Sequence, residues 1–165
     1  MKFLEKDLEE IIWKADKELL SERGLTLSGN LKRQLRIGNY GIADLVNFER
    51  PNYRYENNQR ILFDPGFIQV IELKNESISI SAFLQAIRYL KGIKSYLGKR
   101  NFDIRDFHFI ITLIGRKIDT NSDMIFLPDI IQSEKISVEI YTYSYDIDGI
   151  TFNEECFYKL QNEGF

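Results

Sequence analysis

Three charged residues in the middle of the chain have the types and spacing for metal-assisted hydrolysis of a phosphodiester. Glu72 and Lys74 follow an apolar run over residues 67–71, and Asp44 lies in an earlier apolar segment. Residues two apart on a strand project from the same face, so Glu72 and Lys74 would share one side, with Asp44 beside them on a neighbouring strand. Two carboxylates with water and phosphate commonly bind Mg²⁺, and the backbone carbonyl of Leu73 would add an oxygen. The pattern predicts a divalent-metal phosphodiesterase site.

Hydrophobic periodicity predicts the elements that would position these residues. An amphipathic helix is expected over residues 3–20, and a second from Ser79 or Ser81 to Leu97. A short terminal helix is expected to start at Asn153. Strands are expected over residues 31–37, 42–48, 67–73, 107–114 and 138–145.

Residues 49–66 are rich in proline and asparagine and are expected to form a long connection, with a brief strand at residues 60–63. The order of helices and strands predicts an α/β fold with a mixed central sheet flanked by helices. No linker or repeat divides the sequence, so residues 1–165 are expected to form a single domain.

The composition excludes several kinds of site and location. With one cysteine and one histidine, the chain offers neither an internal disulfide nor a multi-histidine or multi-cysteine metal centre. The charged start does not resemble a signal peptide, and no run of 18 apolar residues would span a membrane. We expect a cytoplasmic protein. There is no phosphate-binding P-loop, so ATP-driven translocation would need a helicase or ATPase partner chain.

The net charge of −3 hides an asymmetry along the chain. Residues 1–22 and 118–165 carry net charges of −3 and −8, whereas residues 23–117 carry +8. The basic middle contains the three charged residues described above, so it could attract a phosphate backbone; a solvated charged surface is the alternative. The candidate nucleic-acid-binding cations are Arg33, Arg36, Lys91, Lys94, Lys99 and Arg100.

The order of these motifs resembles the PD-(D/E)XK nuclease superfamily. Asp44 precedes Glu72-x-Lys74, and a Gln-x-x-x-Tyr motif, Gln85 to Tyr89, follows on the next predicted helix. This order is most similar to that of the RecB-like and NucS-like branch, and the similarity covers roughly residues 4–92. The motifs that also resemble that branch are Leu4-Glu-Lys-Asp-Leu-Glu9, Glu22-Arg-Gly-Leu25, Arg33-Gln34 and Gly41-x-x-Asp44.

The resemblance implies a restriction-endonuclease-like fold and assigns roles to the first three residues. Asp44 and Glu72 would be ligands of Mg²⁺ or Mn²⁺, together with the carbonyl of Leu73. Lys74 would position the attacking water and stabilise the developing negative charge. An exposed ion pair between Glu72 and Lys74 is the alternative interpretation.

The resemblance also implies supporting roles for residues on the two helices. Glu5 would support the metal or its water. Glu9 on the same helical face is the competing candidate, and a solvated surface position is the alternative interpretation for both. Gln85 and Tyr89, one helical turn apart, would orient phosphate or the lysine. The sequence departs from the family pattern at Ala43, which stands where the eponymous proline would be.

The expected activity is hydrolysis of DNA, either as an endonuclease or as an exonuclease. Single-stranded, duplex and branched DNA are all compatible substrates, and a homodimer is compatible with the sequence. The leading alternative is a noncatalytic nucleic-acid-binding or assembly subunit that retains the nuclease fold. A third hypothesis is an interaction protein that uses the aromatic strand over residues 138–145 as its interface.

Overall fold

The computed structural model describes residues 4–120, 123–134 and 136–155. In these ranges the helices are α1 (Glu5–Lys14), α2 (Lys17–Glu22), α3 (Ile80–Lys99) and α4 (Leu127–Glu134), with 3-10 turns at Ile104–Asp106 and Asp123–Phe126. The strands are β1 (Asn30–Arg36), β2 (Ile42–Glu49), β3 (Asn52–Glu56), β4 (Gln59–Asp64), β5 (Gly66–Leu73), β6 (Ser77–Ile78), β7 (Phe107–Gly115), β8 (Lys117–Ile118), β9 (Ser137–Asp146) and β10 (Gly149–Glu155).

Six of the strands form a mixed central sheet in the order β1-β2-β5-β7-β9-β10. The neighbouring strands β5, β7 and β9 run parallel to one another, and each connection between them contains a helix, as parallel pairing requires. The outer pairs β1–β2, β2–β5 and β9–β10 are antiparallel. The strands expected over residues 31–37 and 42–48 are thus found as β1 and β2, which pair as an antiparallel hairpin.

Helices cover both faces of the sheet. On one face, Phe83 and Leu90 of α3 and Leu127 of α4 lie in a large apolar core. On the other face, Leu8 of α1 and Leu20 of α2 lie in a second core. The prediction of a mixed central sheet flanked by helices is confirmed.

The prediction of one continuous helix over residues 3–20 is wrong. Two helices, α1 and α2, replace it, because Ala15 and Asp16 have extended backbone angles. The carboxylate of Asp16 caps α2 by accepting a hydrogen bond from the backbone N–H of Glu18. Residue 3 lies outside the described residues.

The expected terminal helix at Asn153 is also wrong, because this residue belongs to β10 and pairs with Thr142 of β9. The second predicted helix exists as α3, with Ser79 at its N-cap, but it continues past Gly98. The short helix α4 was not predicted. No helix within the described ranges is long and apolar enough to cross a membrane.

Residues 49–66 contain a β-hairpin in place of the expected long connection. β3 and β4 pair with each other and form a separate two-stranded sheet. Asn57 and Asn58 join them with positive φ angles of 49° and 62°, as a two-residue turn of type I′ requires. The hydroxyl of Tyr53 donates to Asp106 at 2.6 Å and ties the hairpin to the turn before β7.

Candidate active site

Asp44 lies where β2 and β5 separate. The pairing of these two strands ends at Leu45 and Ile71. One residue further along β2, the carboxylate oxygen Oδ2 of Asp44 accepts a hydrogen bond of 3.0 Å from the backbone N–H of Leu73. The side chain thus occupies the place of a strand partner and holds Asp44 at the end of β5.

The backbone of β2 turns at this point. Ala43 packs in the core beneath α3, whereas Leu45 packs in the core beneath α1, although residues two apart on a regular strand share a face. On β1, Gln34 lies between residues that pair with Leu45 and Ala43, and it has a positive φ of 49°. For a residue other than glycine, away from a turn, this conformation costs about 1–3 kcal/mol, and such strained residues tend to cluster at functional sites. The distortion therefore aims Asp44 out of the regular ladder.

Glu72 is a carboxylate buried at the end of β5. Only 3% of the residue is exposed, and its Oε1 lies 3.4 Å from the ammonium of Lys74. Its second oxygen, Oε2, is buried without a hydrogen-bond partner among the described residues. Ionised carboxylates are costly to bury unless a cation or hydrogen bonds compensate. The ammonium of Lys74 supplies part of that compensation to one oxygen only.

Burial and neighbouring acidic side chains raise the proton affinity of both carboxylates. Burial raises the pKa of Glu72 from its ordinary value of 4.5 to about 7; the charge of Asp44 adds to this increase and Lys74 opposes it. Burial likewise raises the pKa of Asp44, the hydrogen bond from Leu73 lowers it, and the charges of Glu9 and Glu5 raise it. The charges of Glu5 and Asp44 thus act on Glu72, and those of Glu5 and Glu9 act on Asp44.

The two candidate acids of α1 differ in their partners. Glu9 is buried, and its oxygens accept hydrogen bonds from Nε of Arg33 at 2.8 Å and from the side-chain amide of Gln34 at 2.5 Å. Glu5 is exposed, and its charge raises the pKa of both Asp44 and Glu72. Both acids therefore lie within electrostatic reach of Asp44, and Glu9 in addition anchors α1 to β1. The anchoring contacts join residues far apart in sequence and had no local signal.

Gln85 and Tyr89 form a hydrogen-bonded pair on α3. The side-chain amide of Gln85 donates to the hydroxyl of Tyr89 at 2.7 Å. The ring of Tyr89 packs on Gly41, so closely that a Cβ at this glycine would lie 2.9 Å from Cε1 of the ring. Tyr89 thus supports the segment that leads into Asp44. Neither residue is hydrogen-bonded to the acid pair in the described part of the chain, so their role toward substrate stays a prediction.

The six predicted phosphate contacts occupy different environments. Arg33 bridges Glu9 and Glu10 of α1, while Arg36 is exposed at the end of β1. The ammonium of Lys94 lies 4.6 Å from the centroid of the Phe109 ring. The remaining three lie on α3 or at its C-cap: Lys91, Lys99 and Arg100.

The donor set determines what cation the site could hold. Among the described residues, no three or more histidine, cysteine, aspartate or glutamate side chains form a group that could hold a metal. A cation here would have the two carboxylates of Asp44 and Glu72 as its acidic ligands. The unpartnered oxygen of Glu72 fits such a ligand role, and a hard divalent cation such as Mg²⁺ would complete its shell with water and phosphate oxygens.

Comparisons of the chain with protein-family models, with curated proteins and with solved structures give no match. The chemistry of the site is therefore argued from its residues, distances and charges.

Proposed function

We propose that the protein is a metal-dependent deoxyribonuclease that hydrolyses phosphodiester bonds at Asp44, Glu72 and Lys74. The observation that carries this proposal is the buried, unpartnered oxygen of Glu72 beside a second carboxylate and an ammonium. Each of the three groups was expected at this place from the order of motifs in the sequence.

The two carboxylates of Asp44 and Glu72 lower the stability of the folded chain, so folding by itself gives no reason for them. The pKa of about 7 means that Glu72 holds a proton through much of the range below neutrality when no cation compensates its charge. A chain that needed only a stable strand end would be better served by an apolar residue here. Strongly perturbed carboxylates of this kind are concentrated at functional sites.

Asp44 and Glu72 would hold Mg²⁺ or Mn²⁺, with the backbone carbonyl of Leu73 as a further oxygen ligand. The hydrogen bond from the Leu73 N–H to Asp44 fixes the main chain beside the two carboxylates. The chemistry that such a cation supplies when bound is neutralisation of phosphoryl charge and activation of water. Glu5 supports the same site through its charge, at the start of α1.

Lys74 provides the positive charge that the chain itself contributes. Its side chain is 26% exposed and its ammonium is 3.4 Å from Glu72, so the ammonium can turn from the carboxylate toward a substrate. A fixed ammonium stabilises negative charge that develops on a phosphoryl oxygen during attack by water. Lys74 would also orient that water, since three N–H donors are available on one ammonium.

The proposal includes a restriction-endonuclease-like fold. Its support is the mixed central sheet flanked by helices, together with the motif order Asp44, Glu72-x-Lys74 and Gln85 to Tyr89. The net positive charge of residues 23–117, which contain the site, favours a polyanionic substrate such as DNA.

Cleavage assays with single-stranded, duplex and branched DNA test the proposal. The wild type should cut at least one substrate with Mn²⁺ or Mg²⁺ and none with EDTA. Asp44→Asn and Lys74→Met should lose at least about 100-fold in rate, the scale reported for one removed electrostatic donor. Glu22→Gln, an exposed acid at the end of α2, is the control and should cut normally.

Circular dichroism and thermal melting must show that each variant is folded. Full activity of folded Lys74→Met would contradict the role of the ammonium, and cleavage in EDTA would contradict the requirement for a metal ion. DNA binding without cleavage under any of these conditions would favour the noncatalytic nucleic-acid-binding subunit.

A further inference from the structure

A groove of about 1030 Å³ runs along α3 on the side that faces β1 and β2. Its near wall is the turn that leads into β2, where the ring of Tyr40 packs on α3 at Gly92. Its near end includes Arg88, which follows Gln85 by one helical turn on α3. The groove therefore starts beside the helix segment that supports Asp44 and continues away from it.

The charged residues that line the groove are all cations: Arg36, Arg50, Arg88 and Lys99. No aspartate or glutamate lines it, although the chain as a whole has more acids than bases. Within the described residues, none of the four cations forms an ion pair or a side-chain hydrogen bond. Their charges are thus available to a polyanion, and only two of the four were predicted from the sequence.

Aromatic side chains are interleaved with these cations. Tyr40, Tyr96 and Phe102 line the groove and are 40%, 55% and 39% exposed. The guanidinium of Arg100 lies 5.3 Å from the centroid of the Tyr96 ring, so this ring already presents one face to a cation. Exposed rings of this size could stack on the planar faces of unpaired bases.

We infer that the groove binds single-stranded DNA and delivers it to the acid pair at Asp44 and Glu72. Cations that track a backbone, alternating with rings on which bases stack, are the features that bind single strands without sequence preference. Duplex DNA presents phosphates outward but hides its base faces, so it would use the cations and leave the rings without a partner. The assignment rests on the proposed function, because the bound strand would be the substrate of that site.

Fluorescence anisotropy in EDTA measures this binding separately from cleavage. The probes are labelled oligothymidylate of about 20 nucleotides, a duplex of equal length and an oligouridylate. Tyr96→Ala removes a ring and Lys99→Ala removes a cation. Their matched controls are Tyr145→Ala, on β9 and 57% exposed, and Lys117→Ala, exposed on β8.

The wild type should bind oligothymidylate more tightly than the duplex. Tyr96→Ala should weaken that binding by about 5- to 100-fold, the range for one lost base stack. Lys99→Ala should reduce the slope of log K against log salt by about 0.7, the value for one phosphate contact of a single strand. Both control variants should bind like the wild type, and urea unfolding should show that all four variants are folded.

Three results would overturn the assignment. The wild type would bind the duplex as tightly as the single strand, Tyr96→Ala would bind oligothymidylate as tightly as the wild type does, or polyglutamate would displace the labelled oligothymidylate as well as unlabelled oligothymidylate does. Tighter binding of oligouridylate would assign the groove to RNA and overturn its assignment to DNA. The expected binding pattern without cleavage in Mn²⁺ would support the groove and contradict the hydrolase. Cleavage in Mn²⁺ together with unchanged DNA binding by Tyr96→Ala would support the hydrolase and contradict the groove.

Discussion

Replacing Glu72 by glutamine should stabilise the metal-free protein at alkaline pH. Glutamine has nearly the same shape as glutamate but no charge, so it removes the cost of burying a carboxylate that is 3% exposed. It also removes the repulsion from Asp44 that helps to raise the pKa of Glu72. The lost ion pair costs little, because the ammonium of Lys74 is partly exposed and can turn to water.

The magnitude follows from the pKa of Glu72 in the folded and unfolded chain. Since the folded pKa of about 7 exceeds the ordinary value of 4.5, the folded protein binds the proton more tightly than the unfolded chain. The free energy of unfolding of the wild type therefore falls as pH rises from 4.5 to about 7, and it is constant with respect to this group above that range. At about 1.36 kcal/mol per pH unit, the loss is about 3 kcal/mol.

Urea unfolding in EDTA at pH 5 and pH 8 measures this loss. The wild type should lose roughly 2–3 kcal/mol of stability between the two pH values relative to Glu72→Gln. The variant should therefore be the more stable protein at pH 8. Glu22→Gln, which changes an exposed acid at the end of α2, controls for the general effect of removing one negative charge.

A stability difference between wild type and Glu72→Gln that does not change with pH would refute this reasoning. So would a variant that is less stable than the wild type at pH 8. Either result would mean that water reaches Glu72 freely and that its carboxylate is not penalised by burial. The case for a cation beside its unpartnered oxygen would then lose its physical basis.

Three further predictions test the site and its support. Mn²⁺ at about 100 times its Kd should stabilise the wild type by about 2.7 kcal/mol in thermal unfolding and leave Asp44→Asn unchanged; equal stabilisation of both would place the cation elsewhere. Gln69→Leu should lower the stability in urea by about 2–4 kcal/mol, because it removes the hydrogen-bond acceptor of the buried Asn47 side-chain amide, and a loss below about 1 kcal/mol would contradict this. Gly41→Ala should cost about 1–3 kcal/mol and slow cleavage, because φ is 125° and the new Cβ would meet Tyr89; unchanged urea stability and cleavage would argue against that support.

The hydrophobic pattern predicted the elements that bury one face or both. The sequences of β5 and β7 are continuous apolar runs because both strands lie inside the sheet. The sequence of α3 has helical periodicity because one side of the helix is buried. The brief strand expected at residues 60–63 is found as β4, but β3 and the hairpin were missed because their residues are mostly exposed and carry no such pattern. Its one local signal was the turn at Asn57 and Asn58, since asparagine tolerates positive φ.

The site was predictable only where its geometry is local. Glu72 and Lys74 lie two residues apart on one strand, so their proximity follows from the strand period. The contact of Tyr89 with Gly41 depends on how a helix docks beside a turn, which no local pattern encodes. The positive φ of Gln34 is likewise set by tertiary contacts. Sequence reasoning named Tyr89 and Gln34 within motifs but did not predict these structural contacts and backbone angles.

Two buried side-chain oxygens lack a hydrogen-bond partner among the described residues, and they differ in kind. Oδ1 of Asn47 belongs to a neutral amide whose nitrogen donates to Gln69, within a polar row in the middle of the sheet. Oε2 of Glu72 belongs to a carboxylate, and leaving an oxygen of a charged group without a hydrogen bond costs more than leaving an amide oxygen without one. The same end of the sheet also carries the left-handed Gln34 opposite Asp44. Stability alone accounts for the polar row, whereas the strained backbone and the acid oxygen without a partner at one sheet end are the features on which the proposed cation site rests.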